Sequence, residues 1–160
     1  MEKLTRVMDE PIDWKKYAGS HNLKIKNKEF LYFEKSYSDE NHQNILETYY
    51  QITFDVFMEN YLLSKLNFKI DPKIVNNQLI QGNIKKFDLI FDYLKANKHH
   101  TFYQSLFLTY LNEEESHFFK KNVGEPVLML TKKVLEHQKI IIYGKELAQI
   151  DAYVFKEVKF

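Results

Sequence analysis

"GEPVLMLTKKVLEHQKIIIYGKELAQIDAYVF", from Gly124 to Phe155, decides how the rest of the chain is read. Val127–Leu135 and Lys139–Glu146 are two runs rich in β-branched and apolar residues. Between them lies a short polar break, so they predict a β-hairpin. Gly124-Glu125-Pro126 reads as a turn leading into the first strand. An Asp151-x-Tyr153-x-Phe155 ending follows the second.

Working outward, "NEEESHFFKKN" precedes the hairpin. Asn112 stands three residues before Glu115, a capping-box spacing, with glutamates in the first turn and lysines at the end, so a helix is predicted. Thr101–Leu111 reads as a strand. "FDLIFDYLKAN" places Phe87, Ile90, Phe91 and Leu94 on one helical face. In "DPKIVNNQLIQG", Asp71 is a candidate N-cap, Pro72 a first helical residue and Gly82 a helix stop. Phe54, Phe57, Met58, Tyr61 and Leu62 also recur at helical spacing, and predict a helix that fades near Asn67. Glu29–Tyr37 and Ile45–Thr53 read as a second hairpin around the polar turn "SDENHQN". In residues 1–28, Pro11, Ile12, Trp14 and Tyr17 suggest a short helix. The predicted fold class is α+β, an antiparallel β-sheet with helices packed on it.

The two hairpins resemble each other. "LYFEKSYSDENHQNILETYY" lies over "LMLTKKVLEHQKIIIYGKEL" with His42-Gln43-Asn44-Ile45 matching His137-Gln138-Lys139-Ile140, which suggests a duplicated hairpin. Two amphipathic hairpins in an aromatic-rich chain also look alike without common origin.

Composition narrows the function. At 160 residues, 44% hydrophobic and 16% aromatic, the chain is long and apolar enough for one folded domain with a sizeable core. It has no cysteine and no apolar run of membrane-spanning length, and its first residues lack a signal-peptide core. A cytoplasmic, non-membrane protein without cofactor is expected. The 23 basic and 22 acidic side chains leave a net charge of +1, which is no footprint for nucleic acid. Arg6 is the only arginine, so a site for a dianion would depend on lysines or backbone amides.

Catalytic signatures are absent. Ser116 and His117 are neighbours on a helix and diverge, which does not build a triad. His99-His100 lacks ligand spacing and reads as a solvated loop, so no metal site is expected. No glycine-rich phosphate loop occurs. No catalytic residue is assigned. The short lysine patches read as solvated faces. The thirteen Phe and eleven Tyr mostly fill a core, with Tyr32, Phe33, Tyr49, Tyr50 and Tyr143 as candidates to line a pocket.

The opening stretch resembles the end of the UTRA domain, the effector-sensing half of HutC-type GntR transcription regulators, which has a chorismate lyase-like fold. Gly124, Pro126, the apolar run, Asp151, Tyr153 and Phe155 match that pattern, with Lys132 standing for an arginine. "NEEESHFFKKNVGEP", "LIFDYLK" and "FEKSYSDENHQNILETYYQIT" resemble the family's other elements, so the likeness covers roughly residues 30–155. It implies an N-terminal extension over residues 1–28 and an effector-sensing, dimerising domain over residues 29–160. It also implies a homodimer formed through the sheet, a possible small-molecule effector bound between helices and sheet, and no enzymatic activity.

Ligand-binding positions carried over by the resemblance are Lys35, Tyr37, Leu89, Lys132, Ile142, Tyr143 and Tyr153. Relatives that bind phosphorylated sugars have arginines near Lys35 and Tyr37, a serine at Leu89, a glutamate at Ile142, and a tyrosine and arginine at Ala148 and Gln149. Those replacements remove charge-assisted donors, so a more apolar ligand, or none, is expected. The family's DNA-binding helix-turn-helix does not fit in residues 1–28. DNA contact would require such a segment outside this chain, which is either a fragment or a free-standing relative. The alternative is a chorismate pyruvate-lyase-like enzyme binding a small aromatic acid. The lack of arginine in the matching region argues against it.

Overall fold

The computed structural model describes residues 3–39, 43–75 and 87–157. Its centre is a six-stranded sheet built from β2 (Lys24–Phe33), β5 (Tyr49–Met58), β6 (Tyr61–Ile70), β7 (Thr101–Tyr110), β8 (Pro126–Glu136) and β9 (Lys139–Ala148). The order is β2-β5-β6-β9-β8-β7, and every neighbouring pair is antiparallel. Two small ribbons complete the strands: β1 (Leu4–Val7) with β10 (Tyr153–Lys156), and β3 (Tyr37–Ser38) with β4 (Asn44–Leu46). Among the described residues the helices are α1 (Trp14–His21), α2 (Asp88–Ala96) and α3 (Glu113–Phe119), with a 3-10 turn at Pro72–Ile74. The expected α+β class, with helices on an antiparallel sheet, is the one observed.

The closing hairpin forms as predicted, in the interior of the sheet. His137 and Gln138 join β8 to β9 with φ of 49° and 65°. Positive φ at both central residues is the two-residue turn whose twist matches paired strands. The Asp151-led tail does not extend this sheet. After Ala152 the chain turns away, and β10 pairs in parallel with β1, Leu4 opposite Tyr153 and Val7 opposite Lys156.

The predicted helix from Phe54 is replaced by a second hairpin, β5–β6, turning at Glu59-Asn60, where Glu59 has φ 54°. The helical spacing arises because Phe54, Phe57 and Met58 lie on one strand while Tyr61 and Leu62 lie on the next. Both strands are interior and buried on both sides over much of their length, so clean alternation is lost. The Asp71 cap is present, its carboxylate accepting from Lys73 N at 2.9 Å, but it caps the 3-10 turn. Residues 76–82, including the predicted stop at Gly82, lie outside the described residues. Asn112 and Glu115 form the predicted capping box of α3.

The resembling hairpins differ in their connections. β8 and β9 are joined by two residues, whereas β2 and β5 are separated by residues 34–48, which carry the β3–β4 ribbon. The proposed boundary between residues 28 and 29 falls inside β2.

One face of the sheet holds the main core. Ile52, Phe54, Val56, Leu66, Phe68, Ile70, Val134 and Ile142 pack against Trp14 of α1 and Leu89, Ile90 and Leu94 of α2. Each such side chain contributes about 1.5–3 kcal/mol when fully buried. On the other face, α3 covers one end through Phe119 with Leu62, Leu111 and Val127, and Tyr37 packs on Tyr49 and Tyr143 at the other.

Candidate functional site

Strand alternation sends Ser64 of β6, Lys132 of β8 and Glu146 of β9 to the helix-covered face. Glu146 is fully buried there and is the hub of a polar cluster. Arg6 of β1 grips it with two bonds, Nη1 to Oε2 at 2.6 Å and Nη2 to Oε1 at 2.8 Å. Lys132 Nζ lies 2.9 Å from Oε1. Ser64 Oγ donates to Oε2 at 2.6 Å, so the Tyr153 hydroxyl, 2.8 Å away, donates to Ser64. The rings of Trp14, Tyr153 and Phe155 surround the Arg6 guanidinium at 4.9, 4.7 and 5.0 Å. A planar, weakly hydrated guanidinium suits such a sandwich better than an ammonium.

The electrostatics follow from burial and charge count. Burial alone would raise the Glu146 carboxyl, but Arg6 and Lys132 outweigh it and hold it far below the ordinary carboxylate range. Burial lowers Arg6, and Glu146 more than restores it, leaving it above its usual value. Burial pushes Lys132 down to about 8, Glu146 opposing and Arg6 reinforcing the shift. Burial and Glu146 push the Tyr153 hydroxyl well up. At neutral pH the cluster therefore holds two cations and one anion.

Two spaces adjoin it. An inner cavity of about 30 Å³ touches Lys132, Trp14, Ile142 and the rings of Phe54, Phe68 and Phe87. An outer groove of about 560 Å³ runs between β1, α1 and α2, past Arg6, Lys16, His21 and Lys95. Pro11, Ile12 and Phe91 line both, and so form the partition between them.

The carried-over positions divide between the two faces. Lys132 and Tyr153 join the buried cluster, Ile142 lines the inner cavity, and Leu89 projects from α2 into the core. Tyr143, one residue from Ile142, points to the opposite face and meets Tyr37 there, ring centroids 5.4 Å apart. Lys35 is exposed in the loop after β2, its Nζ 5.3 Å from the Phe33 ring. Tyr37, Tyr143 and Lys35 therefore lie away from the other four, of which Lys132 and Ile142 line the inner cavity. Of the tyrosine and phenylalanine candidates, Tyr32 is exposed, Tyr49 is buried against Phe33, and Tyr50 stacks on Phe30. Ala148 is buried, and Gln149 Nε2 donates to the Leu62 carbonyl at 3.2 Å.

Sequence reading missed Arg6, Ser64, Trp14 and Glu146. Glu146 carried a signal: on a strand with Ile142, Gly144 and Ala148 facing inward, the residue between Gly144 and Ala148 on that face is a carboxylate. Among the described residues, no group of three or more His, Cys, Asp or Glu side chains gathers as a metal site. No helix of the described residues is long and apolar enough to cross a membrane.

No family model and no curated protein matches the chain. Solved structures do. The chain is similar to PhnF from Mycobacterium smegmatis, with 10% identity and TM-score 0.74 over 99% of this chain and 72% of that one. The C-terminal domain of the histidine utilization repressor from Pseudomonas syringae pv. tomato str. DC3000 gives 7% identity and TM-score 0.67, covering 86% and 98%. The possible transcriptional regulator YydK from Bacillus subtilis subsp. subtilis str. 168 gives 18% identity and TM-score 0.63, covering 88% and 62%. At these identities the likeness establishes the fold. The chain has the fold of the effector domains of GntR-type regulators, the fold that the UTRA resemblance implied.

Proposed function

We propose that this domain senses a small-molecule effector and passes the signal through a homodimer, as a UTRA-type regulatory module does. The observation that carries the reading is the likeness of fold to the effector domain of PhnF, with TM-score 0.69 over 99% of this chain. The helix-covered face is its ligand side, with Lys132, Tyr153, Ile142 and Leu89 as the positions retained from the sequence. A ligand there acts only through its different affinity for two arrangements of the domain.

The dimer forms through the β7 edge. β7 is an outer strand of ten residues, "TFYQSLFLTY", with no charge, proline or glycine. Tyr103, Phe107, Leu108 and Tyr110 on it are exposed. An uncharged edge of this length is a ready template for another strand. Contact with DNA would require a separate helix-turn-helix.

The lyase alternative gains nothing here. Arg6, the one arginine, is already committed to Glu146. The deciding experiment is a thermal-shift screen of metabolites against the whole chain. One or more should raise Tm in proportion to the logarithm of concentration. A chain that no metabolite stabilises, and that light scattering shows to be monomeric, is not such a module.

A further inference from the structure

We infer that the inner cavity beside Lys132 is a binding site for one small monovalent anion of the halide or carboxylate class. The inference deepens the effector-sensing reading of the helix-covered face and rests on it for the meaning of occupancy.

Three observations converge on this space. The first is charge. Arg6 and Lys132 face one carboxylate, Glu146, and all three are buried. A surplus cation away from water calls for an anion. The second is donor count. An ammonium carries three N–H donors, and Glu146 Oε1 accepts from Lys132 Nζ at 2.9 Å. The third is Trp14. The residue is only 4% exposed, and among the described residues its Nε1–H, an obligate donor, has no acceptor. Buried donors of this kind are rare in folded proteins.

Lys132 and Trp14 both line the same cavity. Its volume, about 30 Å³, exceeds the roughly 10–15 Å³ that admits a water. It is too small for a phosphorylated sugar. Apart from these two residues, its walls are apolar: five phenylalanines with Pro11, Ile12, Ile142, Val134, Ile90 and Leu94. A bound anion accepts from the indole and the ammonium together and neutralises the cluster. A carboxylate does so either as a free ion or as the head of a larger molecule reaching in past Pro11 and Ile12 from the outer groove.

Trp14 is the only tryptophan in the chain, so it reports on its own site. The whole chain is titrated with bromide, formate, acetate and inorganic phosphate, with ionic strength held by sulfate. Trp14 fluorescence and the single indole N–H resonance are followed. Bromide should quench along a saturating curve and move the indole resonance. Formate should shift the bromide midpoint upward in competition, and phosphate should not. Lys132→Met should weaken bromide binding at least about tenfold, equivalent to 1.4 kcal/mol, with acrylamide quenching unchanged. If formate competes and longer monocarboxylates compete better, the site reads the head of a larger ligand; if only formate and halides compete, it holds a free ion.

Strictly linear quenching with an unmoved indole resonance in the wild-type chain overturns the proposal, whatever the variant does, because a water alone then fills the space. A silent Trp14 while some larger metabolite raises Tm removes the anion site and leaves the sensor. Saturating anion binding with no stabilising metabolite and no dimer removes the sensor and leaves the anion site.

Discussion

Glu146→Gln tests how the buried cluster is balanced. The side chain is fully buried and accepts from Arg6 twice, from Lys132 and from Ser64. The amide keeps the shape, loses the charge, and turns an N–H₂ toward two cations. Removing one partner of a buried ion pair costs about 3–5 kcal/mol. For a domain of this size that lowers Tm by roughly 6–20 °C, at about 2–4 °C per kcal/mol. Lys132→Met should behave in the opposite way. It replaces a buried cation by an apolar chain of similar volume and leaves Arg6 and Glu146 as a matched pair, so stability should stay within about 1 kcal/mol of wild type or rise. Adding Lys132→Met to Glu146→Gln should recover part of the loss, because one of two unmatched cations is gone. Urea unfolding of the four proteins, followed by circular dichroism and compared at equal m-values, measures all three differences. Equal losses for the two single variants, or a Glu146→Gln cost below about 1 kcal/mol, would refute the charge-balance argument.

Lys132 also sets a pH dependence. Its value in the fold is about 8 against 10.5 for the free side chain, so between these the unfolded chain binds more protons and stability rises with pH. Lys69, lowered to about 8 by burial and by Lys145, adds to the same slope. Urea midpoints should therefore increase from pH 8 to 10, less so in Lys132→Met. Above that, Tyr17, raised to about 12 by burial, and Tyr153 reverse the trend as the unfolded tyrosines ionise first. Gly144→Ala would place a Cβ 2.5 Å from two carbons of the Phe68 ring; with that ring stacked on Phe54, a loss of about 1–3 kcal/mol is expected in the same assay. The double substitution His137→Asn with Gln138→Gly suits the two positive φ angles of the β8–β9 turn and should stabilise by about 1 kcal/mol, read as a higher urea midpoint.

What was legible in the sequence was local. The capping box of α3, the apolar face of α2 and the β8–β9 hairpin each declare themselves within a dozen residues. The β5–β6 hairpin was hidden for two reasons. Its turn, Glu59-Asn60, has no glycine, and interior strands packed on both faces lose their period of two. Of the site, Lys132 and Tyr153 came from the UTRA likeness. Arg6 could not be placed, because its partner lies 140 residues away and nothing in "LTRV" reveals a parallel strand beside the end of the chain. Trp14 appeared only as a helix-starting aromatic. That its indole N–H meets no acceptor among the described residues is a property of the packing.

The β1–β10 ribbon has a mechanical consequence. Its strands run the same way, so tension drawn through the two chain ends pulls at Leu4 on one side and at Lys156 on the other. The rungs are then sheared together instead of unzipped one by one, with the Arg6–Glu146 grip stitched across them into β9. A force arriving from residues ahead of Leu4 meets its stiffest resistance at the first strand it reaches, and is handed directly to the middle of the large sheet.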